Sequence, residues 1–597
     1  MGSGVYLDKR RVVRRRAVEI GVFGAIALVG VLPAALQPTA MVGDGVDAFG
    51  TWWFYDWIRL AIENGGDPSF TRAFFWPLGK EIFTHTGNNF VDAVLSAPLQ
   101  WLLGAHYSPA WTWVMLLGNA LTFRPLARAV LGDEDRAFAA SLLWMVSPYA
   151  LFEITAGRPT QAFLWFVPAV PYYLLRIEES RLDAVKLGIA AALVGWAYWF
   201  SSFFVALLCL PLLFRRGMPW PRLMLAAAVA LVIVAPAAIP MARLWGSGAT
   251  PGGSPTPAQS IFALPGAVGN SVGASLHGLF LMEFYGAPLF TNLAWGLPLL
   301  AAVALTWRQW RWWLGLALCA FIAIGPDFSA GKPVAPGEMP WVNVPYMVLY
   351  KYLPFFNRLW FPYRFASAAF VAAALLLAAA LPARWIRSSA LLLAVIGLAE
   401  QARGRIFPFA WHDVRCPPIL ESVGREGGAI MFLPFRIQHE GIIWQTVFRR
   451  PTFGGMGESA PVLWPKGYKG QLSLPVVRSL RTAVERPEAV PHGADLKPLL
   501  ERGFRWVILR RDLQAQEHER LSQVPVPSEA VARVGVVLDM APVATGGAIV
   551  VWDLAREWTP PAEFVVTGLD QDAWAFVTQP AWEQGLSDLG RMGRPAP

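Results

Sequence analysis

The sequence predicts an α-helical polytopic membrane protein with about eleven transmembrane helices and a C-terminal α/β domain outside the membrane. Its 597 residues are 55% hydrophobic and only 15% charged, with a mean hydropathy of +0.42. This composition leaves too little polar surface for one soluble globule. The apolar residues form repeated runs of membrane-spanning length. Near Arg403 the pattern changes to the mixed composition of a water-soluble domain. The apolar runs 429–433, 506–509, 534–538 and 548–552 of this domain are predicted as short buried strands.

The first helix is predicted directly after a basic N-terminal segment. Residues 1–16 include Lys9, Arg10, Arg11 and Arg14, with two further arginines. The apolar run that follows is longer than the roughly 7 to 15 residues of a signal-peptide core. We therefore predict an uncleaved helix with a cytoplasmic N-terminus.

The remaining predicted spans follow the same length rule of roughly 17 to 25 residues. The segment 90–103 is apolar but short and contains Pro98, which favours an interfacial or re-entrant helix. The predicted domains are the transmembrane part, 17–402, with a first extracytoplasmic loop at 38–108, and the soluble part, 403–597. The apolar runs lie near 17–37, 109–127, 137–152, 160–176, 184–199, 201–214, 222–241, 288–306, 312–325, 364–382 and 388–402.

The basic residues predict orientation and location. The net charge of +9 comes mainly from clusters that flank apolar runs, which is the positive-inside pattern and not a nucleic-acid footprint. An odd number of spans then places the C-terminal domain outside. The chain has no Asn-x-Ser/Thr sequon, which weakly favours a bacterial plasma (inner) membrane. Its three cysteines indicate neither a disulfide framework nor a cysteine metal site.

The first loop holds the strongest candidates for chemistry. Asp44 and Asp47 stand where the first helix meets water, and Phe49–Asn64 has the spacing of an amphipathic interfacial helix. Asp44 could act as a general base that takes a proton from an acceptor hydroxyl, or it could cap a helix. Asp47 could help to hold a divalent cation or cap the same helix. No third ligand is identifiable, so no cofactor is predicted with certainty.

Further candidates could bind a substrate. Arg158, Arg358 and Arg364 could pair with a phosphate at the lipid surface, or could be ordinary snorkelling arginines. In the loop after the interfacial helix, His85 and Asn88 could hydrogen-bond a sugar or diphosphate, or be structural. The soluble domain shows no nucleophile elbow, metal cluster or glycine-rich phosphate loop.

The order of these motifs resembles the GT-C membrane glycosyltransferases, in particular the bacterial GT-C-like membrane proteins. The resemblance runs through most of the chain. It rests on short motifs: Gly43-Asp44-x-x-Asp47, Phe75-Trp76-Pro77-x-Gly79, Gly157-Arg158, Trp165-x-x-Pro168, the segment 353–365 and Gln445-x4-Arg450-Pro451-x-x-Gly454-Gly455.

The resemblance implies transfer of a sugar from a polyprenyl-phosphate-linked donor on the extracytoplasmic face, with Asp44 as the catalytic base. The acceptor would be a glycan, a lipid or a protein. The sequence departs from the pattern of this family in two respects. A Trp-Trp-Asp-type acceptor motif is missing, which argues against asparagine glycosylation, and Arg158 stands where related sequences more often have His.

Three functions remain open from the sequence. The first is an inverting glycosyltransferase that uses Asp44. The second is a non-catalytic GT-C-like protein whose outer domain binds a glycan or a partner. The third is a transporter or flippase, which the scarcity of ionisable residues in the middle of the apolar runs disfavours.

Overall fold

The computed structural model divides the chain into two compact units. The first comprises Met1–Glu63 and Phe83–Asp413, and the second comprises Asn64–Ile82 and Val414–Pro597. The structure describes residues 3–44, 46–83, 89–215, 217–246, 293–325, 342–353, 356, 359, 361–435, 440–456, 458, 464–486, 488–512, 514–516, 523–526 and 529–564.

The described residues of the first unit form helices and one short strand pair. Its strands are β1 (Ala40–Val42) and β4 (Trp411–Asp413). Its helices are α1 (Ser3–Ala35), α2 (Val46–Glu63), α3 (Phe90–Leu103), α4 (Tyr107–Leu131), α5 (Glu134–Met145), α6 (Pro148–Thr155), α7 (Pro159–Ala162), α8 (Ala169–Arg176), α9 (Arg181–Ala197), α10 (Ser201–Leu213), α11 (Trp220–Gly246), α12 (Leu293–Thr306), α13 (Trp310–Ala323), α14 (Val344–Tyr352), α15 (Ala366–Ala380) and α16 (Ile386–Arg403).

Local chemistry explains several of the helix boundaries. α4 ends at Gly132, which has the left-handed backbone (φ 68°) that glycine adopts without a Cβ penalty. α5 begins after Asp133, whose carboxylate accepts a hydrogen bond of 2.8 Å from the backbone N–H of Arg136. Such a cap satisfies an otherwise unpaired helix donor. α6 begins at Pro148, a residue suited to the first helical turn.

Five segments in the described part of the chain are long and apolar enough to cross a membrane. They support the prediction of a membrane protein with several apolar helices. Other helices, such as α10 with 13 residues, are shorter. The count of about eleven spans therefore stays a prediction. The five segments are Val13–Ala35, Tyr107–Leu131, Glu134–Thr155, Trp220–Pro240 and Pro362–Ala380.

The predicted interfacial helix exists as α2, but most of its surface is buried within the first unit. The four consecutive residues 52–55 are each no more than 2% exposed. Consecutive residues lie about 100° apart around a helix, so this part of α2 is covered on every side. On its polar side, Arg59 lies between Asp56 and Glu63, with nitrogen–oxygen distances of 2.8 and 2.7 Å. Tertiary packing thus replaces the single apolar face that the spacing predicted.

The strand pair brings the start of the first loop to the end of the transmembrane part of the chain. β1 and β4 are antiparallel, with Met41 opposite His412. The pairing continues past β1, because the N–H of Gly43 donates to the carbonyl of Ala410 at 2.8 Å. Residues distant in sequence, 44 and 412, are thereby placed together.

The second unit is built on a four-stranded mixed sheet in the order β5, β6, β10, β9, with β5 parallel to β6 and the other pairs antiparallel. Its other strands form two short hairpins. The strands are β2 (Phe70–Thr71), β3 (Lys80–Glu81), β5 (Ala429–Leu433), β6 (Phe504–Arg510), β7 (Gln514–Gln516), β8 (Gln523–Pro525), β9 (Ala544–Gly546) and β10 (Ile549–Asp553). The helices are α17 (Pro418–Glu426), α18 (Gly441–Phe448), α19 (Tyr468–Leu472), α20 (Pro475–Glu485), α21 (Lys497–Leu500) and α22 (Ala530–Leu538).

Part of the first loop belongs to this second unit, whereas the sequence had assigned all of 38–108 to the transmembrane domain. The buried ammonium of Lys80 donates to the carbonyl of Met456 at 2.7 Å, and the indole N–H of Trp76 donates to the carbonyl of Arg502 at 2.6 Å. These bonds fix the loop segment to the C-terminal part of the chain. The second unit therefore uses two separate stretches of sequence.

The strand predictions for this unit were mostly correct. Strands form at 429–433, 506–509 and 549–552, as the apolar runs indicated. The strand predicted at 534–538 was wrong, because these residues end α22. A short apolar run does not distinguish a buried strand from a buried helix, and all but one of the residues of α22 are buried.

Candidate functional site

Two glycines bring the first loop against the turn between α6 and α7. Gly43 has φ 107° and Gly157 has φ 75°. A Cβ on Gly43 would lie 2.4 Å from the Cα of Gly157, and a Cβ on Gly157 would lie 2.4 Å from the Cβ of Ala48. Only glycine permits this approach and this backbone conformation. Asp44 and Arg158, the next residue after each glycine, therefore start from adjoining backbone.

Asp44 is anchored through its backbone and presents its carboxylate to solvent. Its N–H donates to the carbonyl of Thr155 at 2.7 Å, and its side chain is 66% exposed. The carboxylate Oδ1 lies 3.1 Å from Nε2 of His412 on β4. This arrangement holds an accessible carboxylate beside an imidazole.

Arg158 occupies the N-terminal boundary of α7 and is held by a buried carboxylate. Glu153 on α6 is fully buried, and its Oε2 accepts a hydrogen bond from Nε of Arg158. A second guanidinium nitrogen of Arg158 donates to the hydroxyl of Tyr363 at 3.0 Å. That hydroxyl in turn donates to Oε1 of Glu153 at 2.8 Å.

Arg364 shares the same carboxylate. Its Nε lies 3.3 Å from Oε1 of Glu153, and Nη1 donates to the hydroxyl of Tyr198. Its side chain is 7% exposed, against 14% for Arg158. Arg158 is therefore the more accessible of the two cations.

Asp47 completes the charge arrangement from the first turn of α2. Its Oδ2 lies 3.4 Å from Nη1 of Arg158, and its side chain is 45% exposed. Two guanidinium groups and two carboxylates thus meet here, and the inner carboxylate is the one on Glu153. Among them only Asp47 is substantially exposed, so the contact between Asp47 and Arg158 is the outermost ion pair of this cluster.

The charge state of Arg158 follows from these neighbours. Burial acts to lower its pKa, but Glu153, Tyr363 and Asp47 act in the opposite direction, and the pKa stands above its ordinary value. Aromatic rings flank the guanidinium, with its carbon 5.5 Å from the ring centre of Phe152 and 5.9 Å from that of Phe361. A permanently charged, flat cation with aromatic walls suits a phosphate ligand.

The structure brings four of the predicted residues into one region of the first unit: Asp44, Asp47, Arg158 and Arg364. The three other predicted residues, Arg358, His85 and Asn88, lie outside the described residues. No group of three or more His, Cys, Asp or Glu side chains arranged for a metal ion occurs among the residues that the structure describes.

Sequence reasoning missed Glu153, His412, Tyr363 and Tyr198. For Glu153 a signal existed, because it interrupts an apolar segment and lies five residues before Arg158; an acid in such a segment is a candidate functional residue. For His412 no local signal existed. Its partner Asp44 is 368 residues away along the chain, and only the pairing of β1 with β4 joins them.

Comparison with protein-family models gave no match, and comparison with curated proteins also gave none. Among solved structures, the chain is similar to the arabinofuranosyltransferase AftD from Mycobacteria, with 16% identity and a TM-score of 0.47 over 93% of this chain and 42% of AftD. The chain thus spans less than half the length of AftD.

Two further solved structures are similar along more of their own length. The oligosaccharyltransferase AglB from Archaeoglobus fulgidus, in complex with an inhibitory peptide and a dolichol-phosphate, is 12% identical with a TM-score of 0.44 over 83% of this chain and 69% of AglB. ArnT from Cupriavidus metallidurans, bound to undecaprenyl phosphate, is 13% identical with a TM-score of 0.44 over 91% and 99%. All three belong to the GT-C superfamily of membrane glycosyltransferases, the family that the sequence motifs resemble.

Proposed function

We propose that the protein is a glycosyltransferase of the GT-C type. It transfers a sugar from a polyprenyl-phosphate-linked donor to an acceptor hydroxyl, with inversion at the anomeric carbon. Asp44 is the general base, and Arg158 binds the phosphate of the donor. The reaction takes place on the extracytoplasmic face of a bacterial plasma membrane.

The packing of Gly43 against Gly157 is the observation that carries this proposal. It places an exposed carboxylate and a charged guanidinium on adjoining stretches of backbone. A base and a phosphate-binding cation in such proximity match the two needs of the reaction, which are removal of the acceptor proton and stabilisation of the leaving phosphate.

The proposed step is a single displacement. The acceptor oxygen attacks the anomeric carbon as its proton passes to Asp44, and the bond between that carbon and the phosphate oxygen breaks. The electron pair of this bond remains on polyprenyl phosphate, whose negative charge Arg158 stabilises. Because attack and departure occur on opposite sides of the carbon, the configuration inverts.

The other charged residues have supporting roles in this proposal. Arg364 is a positioning residue, since it is buried and holds Glu153, which in turn orients Arg158. Asp47 competes with the donor phosphate for Arg158 and releases it when the donor binds. Arg358, His85 and Asn88 remain proposed contacts to the phosphate and the sugar.

The test compares Asp44→Asn with Asp413→Asn in the purified full-length protein. Asp413 is an exposed carboxylate on β4, one residue from His412, and is a matched control outside the proposed chemistry. Each protein is incubated in nanodiscs with radiolabelled polyprenyl-phosphate sugars and candidate acceptors. Release of polyprenyl phosphate and transfer of label are measured.

We expect Asp44→Asn to lower transfer by about 10²-fold or more, the usual contribution of a general base, and Asp413→Asn to retain activity. Full transfer by a correctly inserted Asp44→Asn protein would contradict the assignment of the base. Donor binding without consumption by the wild type, with acceptors supplied, would favour the non-catalytic alternative.

A further inference from the structure

A cavity of about 740 Å³ opens between α1, α4 and α8, away from the residues of the proposed active site. Arg16 and Glu19 on α1 line one side, and Arg124 and Arg128 on α4 line another. α1 and α4 are both candidate membrane spans, and these residues lie near the start of one span and the end of the other. The cavity therefore lies at the level where a membrane surface would be.

The charges that line this cavity are unbalanced. The lining contains four arginines and two glutamates. Glu19 is already shared by three arginines, since Arg15, Arg124 and Arg387 all lie within 3.2 Å of it. Glu179 pairs with Arg176 at 2.7 Å. Both acids of the lining thus already have basic partners, and the lining keeps more positive than negative charge.

Two of the cavity arginines are accessible to a ligand. Arg16 is exposed and forms no ion pair among the residues that the structure describes. Arg128 is 59% exposed and shares Glu134 with Arg124. Guanidinium groups in this position suit the two free oxygens of a phosphodiester.

An apolar groove of about 360 Å³ adjoins the basic cavity. The two share Pro125 and Tyr172 in their linings. Beyond these shared residues the groove is lined mainly by apolar side chains, including Trp165, Phe166 and Ile189. A charged compartment next to an apolar one matches an amphiphile with an anionic head and a hydrocarbon chain.

We propose that the cavity and the groove together bind one anionic phospholipid of the surrounding membrane. Its phosphodiester lies among Arg16, Arg124 and Arg128, and an acyl chain lies in the groove beyond Tyr172. A soluble phosphate would leave the groove empty, and a zwitterionic lipid would leave the positive excess unneutralised. This site is separate from the glycosyl-transfer site and does not depend on the proposed activity.

The test measures lipid binding to the purified full-length protein by native mass spectrometry. Phosphatidylglycerol and phosphatidylcholine with identical acyl chains are titrated separately. The variant Arg16→Gln/Arg128→Gln removes the two accessible charges. Arg384→Gln is the matched control, because Arg384 is an exposed arginine that lies outside both linings. Ile189→Glu places a charge in the groove.

We expect the wild type to bind one phosphatidylglycerol in preference to phosphatidylcholine. The double variant loses this preference by about fivefold for each arginine, as for basic residues at an anionic membrane surface, and Arg384→Gln retains it. Ile189→Glu weakens phosphatidylglycerol binding as well. Equal losses in the double variant and in Arg384→Gln would overturn the proposal, because they would indicate diffuse attraction.

Soluble glycerol phosphate distinguishes a lipid site from a phosphate site. We expect it to compete with phosphatidylglycerol only weakly and to be insensitive to Ile189→Glu. Competition at equal concentrations would overturn the lipid assignment, and so would a wild type that binds both lipids equally.

Discussion

Glu153 is the residue on which the two arginines of the candidate site depend. It is fully buried and accepts hydrogen bonds from Arg158, Arg364 and Tyr363. Without its charge, two guanidinium groups would lie buried next to each other. The charge of Glu153 therefore offsets a large desolvation and repulsion cost.

We predict that Glu153→Gln destabilises the protein by about 3 to 5 kcal/mol, the usual cost of removing one partner from a buried ion pair. Thermal unfolding of the purified protein in detergent measures the effect. Glu501→Gln is the control, since Glu501 forms an exposed pair with Lys497 and should leave the melting temperature nearly unchanged. Similar melting temperatures for both variants would show that the charge of Glu153 is not needed to stabilise the buried Arg158 and Arg364.

Substitution of Gly157 tests the close approach of Gly43 and Gly157, which brings the backbone at Asp44 next to the backbone at Arg158. Gly157→Ala combines a strained positive φ with a clash against Ala48, whereas Gly132→Ala has a similar φ but nothing within 4 Å of the new Cβ. We expect Gly132→Ala to cost about 1 kcal/mol and to keep sugar transfer. Gly157→Ala should lose stability as well and, unlike Gly132→Ala, should reduce sugar transfer at least tenfold. Equal transfer by the two variants would mean that the approach does not position the site.

At the scale of elements, β10 ends in a carboxylate that organises the loop after it. Asp553 is fully buried and accepts hydrogen bonds from Arg505 on β6 and from the backbone N–H groups of Ala555, Glu557 and Trp558. Burial acts to raise its pKa, but these donors outweigh burial, so the pKa lies below its ordinary value.

This depressed pKa predicts a pH dependence of stability. A carboxyl group with a lower pKa in the folded state stabilises the protein above the unfolded pKa of about 3.9, and this stability is lost as the pH falls through the folded value. The protection factors of the amides in β6 and β10, which compare the exchange rate with that of an unfolded chain at the same pH, should therefore fall below about pH 4 in the wild type. In Asp553→Asn, these amides should already be less protected than in the wild type at neutral pH. Their protection should then fall less on acidification. A wild type with no acid-dependent change would contradict this role.

The sequence predicted the type of many helices and strands correctly, but it did not predict which of their residues are buried or which distant residues they contact. The period of residues 49–64 correctly indicated a helix, but tertiary contacts bury Trp52, Trp53 and Tyr55, which no periodicity reports. The apolar run at 534–538 fitted a strand as well as a helix, and packing decided for the helix. Asp44 and Arg158 were found because charged residues at apolar boundaries are conspicuous. The contact between Asp44 and His412 depends on the pairing of β1 with β4, which local sequence does not encode.

At the scale of the whole molecule, the charge pattern predicts which side each part of the chain faces. The basic turns, such as the one with Arg384, are expected in the cytoplasm, and the second unit outside. All three native cysteines are buried, so they provide an unlabelled background.

We predict that Glu501→Cys reacts with a membrane-impermeant maleimide in intact cells, or in spheroplasts if an outer membrane blocks access. Arg384→Cys should react only after the membrane is permeabilised. Both side chains are exposed within their own units, so a difference in labelling reports membrane sidedness. The opposite pattern would invert the proposed topology and place Asp44 on the wrong face for a donor presented outside.

In the proposed mechanism, Asp44 removes the acceptor proton and Arg158 binds the donor phosphate. The affinity for polyprenyl phosphate tests this assignment most directly. Binding is measured for the wild type, Asp44→Asn, Arg158→Gln and Glu153→Gln/Arg158→Gln. Arg158→Gln leaves Glu153 paired with Arg364 but makes the cluster more negative. The last variant restores the net charge of the cluster, so it controls for repulsion of the phosphate by that extra negative charge. We predict wild-type affinity for Asp44→Asn and at least tenfold weaker binding for both Arg158 variants. Unchanged binding in the Arg158 variants would contradict the account.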